Sequence, residues 1–556
     1  MKLFKRILSL ALALLLLLGT CQNVFAEAPG TQAQRTSYPT IYLAGGWHEL
    51  KDSATGESVF SPESSLHQDT SIQDTIINIA LTQNYDALGV ALAEMFTSSF
   101  TNIAMNCDGE SINKDVTYDF KFYLNPGLLE QLNGQNIEDI ADPNLKLIKE
   151  NLGTLKSDGS LYLNPTPGDD QQVLYFQDNE GYFSFDWRQD PVQNAEILHT
   201  WIKEAIITPG YSDKVNLVFV SGSGPIGLAY LNEYKTEYLN AIAFNESLHN
   251  GSSLWGGIAA RQFGLSADAV GNTGPMYDFA LDSLLTPPVR GVVRVLYEIG
   301  LIDIMMKGIN YASTDAFNSL YEDALIPMWF HMPFYWSVVP HSMYEQAKRA
   351  LFPTDAEYAA HAKLFEKTDY YQNEVLANSD HLLREAAKVI KVGINCGYGF
   401  PVSPFTKISY VSSDEIVDTA YASSGATCAP PNRPFSAFFY KQAVPGDVNY
   451  ISPDRIVDAS TCVLPEYTWF NKDMPHMPDL RVDGWVEWFV NAPRGKDSVR
   501  GNPDYPQWMK WNAWGDFAPL EYTDTLWAKI WDTLLAALTW ITDGWRGIVR
   551  KALFWM

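Results

Sequence analysis

The chain has 556 residues, 46% of them hydrophobic and 13% aromatic, with 65 acidic against 39 basic side chains and a formal net charge of −26. So acidic a chain lacks the clustered positive charge of a nucleic-acid surface and cannot adhere to an anionic membrane by charge alone. It is too apolar to be disordered, and no internal stretch reaches the roughly 18 uncharged apolar residues of a membrane span.

Lys2, Lys5 and Arg6, the apolar run from Ile7 to Leu18 and the small-residue site at Val24-Phe25-Ala26 read as a signal peptide over 1–26. The expectation is a secreted or extracytoplasmic protein, at the cell surface or membrane-associated. A lipoprotein reading would use Cys21 instead. Four cysteines follow, Cys107, Cys396, Cys428 and Cys462, with three ways to pair and no zinc-type spacing.

The body is expected over 38–505. "YPTIYLAGG" from Tyr38 to Gly46 reads as a buried strand entering a tight loop. Residues 106–178 are rich in Asn, Asp, Gly and Pro and look like an insertion with hairpins. "YFSFDWRQDPVQNAEILHTWIKEAI" reads as strand, loop and helix, with Ala195, Leu198, Trp201, Ile202 and Ala205 at helical spacing.

"KVNLVFV" from Lys214 to Val220 is the continuous apolar run of a parallel strand covered on both faces. It breaks at Ser221-Gly222-Ser223-Gly224, and Pro225 suits the first turn of a helix continuing to Tyr234. "YLNAIAFN" from Tyr238 to Asn245 is the next strand, which completes a βαβ unit and implies an α/β fold with a mostly parallel sheet.

Residues 252–385 are helical by pattern and are read as an inserted helical cap. "KVIKVGINCGYG" from Lys388 and "YTWFNKDM" read as further strands, and "VDGWVEWFV" as a helix. Two segments share the pattern S-x-D-x-I-V-D, at Ser412 and Ser452, and read as similar turns on one face of the sheet. In the tail, 506–556, Trp527, Ile530, Trp531, Leu534, Leu538, Ile541, Trp545, Ile548 and Val549 recur at helical spacing. That makes an amphipathic C-terminal helix, either docked on the core or laid on a membrane or lipid surface through 520–556.

A serine nucleophile needs a histidine base, an acid to orient it and backbone N–H groups for the oxyanion. Ser221, Asp454 and His476 occur in the order serine, acid, histidine: Ser221 closes the strand "KVNLVFV", Asp454 lies in "SPDRIVD" and His476 follows the strand "TWFNKDM". Ser223 is the alternative nucleophile and Asp414 the alternative acid. Asp186 and Arg188 read as a structural ion pair, and His48 as a group near the first loop. No GxGxxG, P-loop lysine or HExxH is present, and no cofactor or metal is expected.

"YLAGGWHEL", "FSFDWRQDPVQNAEIL", "KVNLVFVSGSGPIGLAYL", "INCGYGFPVSP" and "PDRIVD" resemble, in order, motifs of the lecithin:cholesterol acyltransferase-like α/β-hydrolases, a group of lipases, phospholipases and acyltransferases. The resemblance spans 38 to about 490 and implies an α/β-hydrolase fold, with Ser221 as nucleophile, Asp454 as acid, His476 as base and the N–H groups of Gly46 and Gly222 as oxyanion donors. It further implies an exported serine esterase, lipase or O-acyltransferase acting on an ester or lipid substrate. The sequence departs at the elbow, where Gly-x-Ser-x-Gly becomes Phe219-Val220-Ser221-Gly222-Ser223. That departure leaves open a catalytically degenerate binding or surface protein on the same fold.

Overall fold

Fully covered strands that send alternate side chains into two cores organise the protein. The computed structural model describes residues 38–45, 49–52, 55, 57–61, 93–94, 97–113, 116–118, 121–123, 160–162, 180–208, 212–264, 266–268, 296–297, 300–312, 314–402, 411–431, 433–476, 484–511 and 517–521. The signal segment, Gly46, His48 and the tail beyond Glu521 lie outside these residues.

Eight strands form the main sheet: β1 (Thr40–Leu43), β2 (Glu180–Tyr182), β3 (Val215–Val220), β4 (Leu239–Asn245), β5 (Lys391–Tyr398), β6 (Thr468–Lys472), β7 (Trp508–Trp511) and β8 (Phe517–Pro519). They lie in the order β8-β7-β6-β5-β4-β3-β1-β2. All neighbours are parallel except β7 and β8, which are antiparallel. This is a mostly parallel α/β arrangement.

Every residue of β3 is buried. Leu217 and Phe219 enter the larger core, whereas Val218 and Val220 enter the smaller one on the opposite face. β1 divides in the same way, Ile41 and Leu43 against Tyr42. The period-two projection of a strand thus fills both cores from one short segment.

Helices α1 (Pro191–Ile202), α2 (Gly224–Tyr234) and α3 (Ser253–Ala259) contribute to the larger core. So does α4 (Ser379–Val389), which ends just before β5, whereas the run from Lys388 had been read as strand throughout. α5 (Trp485–Asn491) covers the other face with Trp485, Val486, Phe489 and Val490. Among the described residues of 301–389, helices follow one another with no strand between them. The described parts of the first third form a small sheet of Leu50–Asp52, Ser58–Phe60 and Val116–Tyr118, with a hairpin of Lys121–Tyr123 and Ser160–Tyr162. Among the described residues no helix is long and apolar enough to cross a membrane.

Two features point at the carboxyl ends of the strands. The chain leaves β1 toward β2 on one side and returns to β3 on the other, so the strand order reverses between β1 and β3. In open α/β sheets the crevice outside such a reversal is where ligands bind. Across the neighbouring strands runs a buried amide ladder: Asn471 donates to Asn395 at 2.6 Å and Asn395 donates to Asn245 at 2.8 Å. The ladder ties β4, β5 and β6 together through their side chains and ends on Asn245, whose own amide nitrogen is buried without a partner.

Candidate active site

The run Val215–Val220 ends at Ser221, whose φ is 52°. A serine pays a steric penalty in this left-handed region, so the surrounding structure must impose the conformation. Three contacts do so. Ser223 accepts a bond from the Val220 N–H at 2.9 Å and donates to the Leu43 carbonyl at 2.7 Å, and the Leu248 N–H donates to the Ser221 carbonyl at 2.9 Å. Ser223 is wholly buried. The bulky Phe219 is accommodated because it packs away from the turn, stacked on Phe244 and over Gly227, where a Cβ would lie 2.8 Å from the Phe219 ring.

Ser221 Oγ lies 2.7 Å from His476 Nε2, and His476 Nδ1 lies 2.8 Å from Asp414 Oδ2. A carboxylate at Nδ1 fixes the proton there, which leaves Nε2 free to accept from the serine hydroxyl. Asp414 Oδ1 accepts the N–H groups of Ile416 at 3.0 Å and Val417 at 2.7 Å. Asp414 is fully buried and His476 is 3% exposed, so both are shielded from water at the rim of the sheet.

The carboxylate that faces the imidazole is therefore that of Asp414 and not that of the expected Asp454. Asp454 is engaged by Lys472 at 2.9 Å, by the Ser452 hydroxyl at 2.7 Å and by Tyr398 at 3.3 Å. The reason lies in how the two similar turns are anchored. The first follows β5, is tied back through the pairing of Ser412–Ser413 with Phe400–Pro401, and receives the Thr419 hydroxyl on the Gly397 carbonyl at 3.0 Å. Gly397 clears the space, since a Cβ there would lie 2.8 Å from Asp414 Cβ. The second turn is held by the pairing of Thr427–Cys428 with Val457–Asp458, which delivers its aspartate to the β6 lysine.

Other groups around the relay are held in defined charge states by burial. His249, which meets the Ser424 hydroxyl at 2.8 Å, is lowered to about 3 by burial and stays neutral. Asp418 is raised to about 6 by burial, opposed by the bonds from the Ser253 N–H and hydroxyl. Glu246, immediately after β4, was not read as a site residue in the sequence. It is fully buried, and burial followed by the charge of Asp414 pushes its carboxyl well above the usual range.

Glu246, Asp414 and His476 each place a ligand atom within 4.8 Å of the others. Both ring nitrogens of His476 are engaged, one by Asp414 and the other by Ser221. Cys107, Cys396, Cys428 and Cys462 are all unpaired thiols.

The remaining expected residues are placed as follows. Gly222 is buried in the turn, and Gly45 packs directly against it: a Cβ on Gly45 would lie 2.1 Å from the Gly222 nitrogen. Gly46 and His48 lie outside the described residues. Asp186 and Arg188 form a bidentate pair at 2.9 and 2.8 Å, and Arg188 also donates to the Ile103 carbonyl and the Ser111 hydroxyl, each at 3.1 Å. That pair braces the loop after β2.

No family model matches the chain, and no curated protein matches it. Among solved structures, one described as the crystal structure of the Tle4–Tli4 complex aligns with 65% of this chain and 75% of that chain at 14% identity, with a TM-score of 0.23. This likeness carries no argument about function, which rests on the geometry of the site itself.

Proposed function

We propose that the protein is a serine hydrolase or acyltransferase of the α/β-hydrolase type acting on carboxylic esters, with Ser221 as nucleophile, His476 as base and Asp414 as acid. The observation that carries the reading is the continuous relay from Ser221 through His476 to Asp414, at 2.7 and 2.8 Å, on a serine held at positive φ beside the reversal of strand order. Ser221 attacks the ester carbonyl carbon while its proton passes to Nε2. Asp414 stabilises the imidazolium, which then protonates the leaving alcohol. The acyl group on Ser221 leaves with water or with an acceptor alcohol, activated by the same imidazole in reverse. The Gly222 N–H, at the start of the turn into α2, is the proposed donor to the oxyanion. The motif resemblance to lecithin:cholesterol acyltransferase-like enzymes supplies the lipid-like substrate class. The proposal includes export through residues 1–26 and a peripheral membrane contact through 520–556.

The test is covalent. Purified protein treated with a fluorophosphonate probe and digested should carry the adduct on the peptide containing Ser221. A folded sample that takes up no probe would leave a binding protein on the same fold instead.

The choice of acid has its own expected result. Asp414→Ala should lower kcat/KM for a p-nitrophenyl ester by about 10²-fold or more, whereas Asp454→Asn should stay within about threefold of the parent. Loss of activity in Asp454→Asn alone would reverse the assignment.

A further inference from the structure

Glu246 is the most anomalous charged residue near the relay. Its carboxyl is fully buried, and neither oxygen has a hydrogen-bond partner. Its backbone sits at φ 43°, a strained region for glutamate, held by its N–H donating to the Asn395 carbonyl at 2.8 Å. Oε2 lies 3.9 Å from His476 Nδ1, on the ring edge that Asp414 also faces. The glycine that admits Asp414 admits this group too, because a Cβ on Gly397 would lie 3.2 Å from Glu246 Oε1. Buried acids without partners are rare, and one that shares an imidazole edge with a second buried carboxylate calls for a physical account.

Two carboxyl groups so close and so dry cannot both carry charge. Asp414 receives two backbone N–H groups and the imidazole N–H, whereas Glu246 receives none. The charge therefore resides on Asp414 and the proton on Glu246. The buried Cys396 thiol of β5, pushed up first by burial, also feels the charge of this carboxyl.

We propose that Glu246 is a second acid for His476: a positioning residue, delivered by the strand after the nucleophile strand, that supports the imidazolium when Asp414 cannot. This rests on the functional reading above for its role in turnover, although the acid–imidazole coupling can be measured without turnover. With Asp414 present, Glu246 is a neutral neighbour. With Asp414 removed, the repulsion that helps keep Glu246 protonated is gone, and a shift of about 1 Å brings its oxygen within hydrogen-bond reach of Nδ1.

The sign of the pH effect follows from burial. In Asp414→Ala, Glu246 must lose its proton before it can stabilise an imidazolium. Desolvation still holds that carboxyl above the ordinary range. Activity should therefore rise with pH across a limb displaced to higher pH than in the parent.

The experiment uses four full-length proteins: the parent, Asp414→Ala, Glu246→Gln and the double variant. Two readouts are taken on each, the titration of ¹³C-labelled histidine followed by NMR and the pH profile of kcat/KM. Glu246→Gln alone is the reference for the double variant, because it replaces a neutral acid by a neutral isostere. Asp414→Ala should hold the His476 proton at least about tenfold more tightly than the double variant and should show the displaced limb. The double variant should lose the limb and a further ~10²-fold in rate. Superimposable histidine titrations of Asp414→Ala and the double variant would overturn the proposal, whether or not the protein turns over esters. Absence of turnover in the parent would instead overturn the functional reading and leave the titration to decide on Glu246. Should alanine at 414 disturb the turn whose N–H groups it caps, Asp414→Asn retains an acceptor for them, and the same comparison is made with and without Glu246→Gln.

Discussion

Ser221→Ala is expected to abolish fluorophosphonate uptake and to lower ester turnover by about 10⁴-fold or more, while Ser223→Ala retains both the label and most of the rate. The two serines stand two residues apart in a glycine-rich turn, yet their environments assign them different work. Ser221 is partly exposed and directs Oγ at His476 Nε2. Ser223 is sealed, and its hydroxyl is spent on closing the turn between the Val220 N–H and the Leu43 carbonyl. Removing that hydroxyl leaves the buried Val220 N–H without this acceptor, which should cost about 1–3 kcal/mol of stability. Ser223→Ala should accordingly show a lower thermal midpoint with the probe still on Ser221. Probe uptake that survives in Ser221→Ala and disappears in Ser223→Ala would interchange the roles.

The parts of the fold that were readable are those in which local pattern and burial agree. "KVNLVFV" announces a strand covered on both faces, and the chain delivers one with every residue of Val215–Val220 buried. The choice between Asp414 and Asp454 was not readable, for a reason the coordinates make explicit. Both copies of S-x-D-x-I-V-D fold into the same device: the residue after the aspartate is at positive φ, Glu415 at 90° and Arg455 at 59°, and the aspartate accepts the N–H of the following isoleucine. The heptad specifies the turn and says nothing of its partner. What separates the copies is anchorage from elsewhere, Gly397 and Thr419 on one side and Lys472 and Tyr398 on the other. Even the final aspartates diverge, with Asp418 receiving the Ser253 backbone and Asp458 receiving Tyr440 and Ala443. Glu246 was invisible for a related reason. A glutamate one residue past a strand is ordinary in sequence, and only its complete burial beside Gly397 and His476 makes it unusual.

Gly45 is where the sheet and the turn meet, and Gly45→Ala is expected to be among the most damaging single-methyl additions in the chain. A Cβ there would sit 2.1 Å from the Gly222 nitrogen, 2.2 Å from the Val220 carbonyl oxygen and 2.7 Å from the Ser221 carbonyl carbon. All three are backbone atoms at the end of β3, so no side-chain rotation relieves the overlap. Either β1 withdraws from β3 or the Ser221 turn opens, and in both cases the serine loses its alignment with His476. The expected cost exceeds about 3 kcal/mol, with a lower thermal midpoint and loss of fluorophosphonate uptake. Gly308→Ala is the matched control. It adds the same methyl to an exposed position of the helix Leu301–Ala312, where a Cβ would meet nothing within 4 Å. Helix propensity alone should then stabilise the protein by about 0.5–1 kcal/mol. Opposite shifts of the two variants, read by thermal unfolding and probe uptake together, would tie the activity of Ser221 to the closeness of β1 rather than to general stability. A Gly45→Ala protein that unfolds at the parental temperature and still labels Ser221 would remove the contact between β1 and the turn from the account of the site.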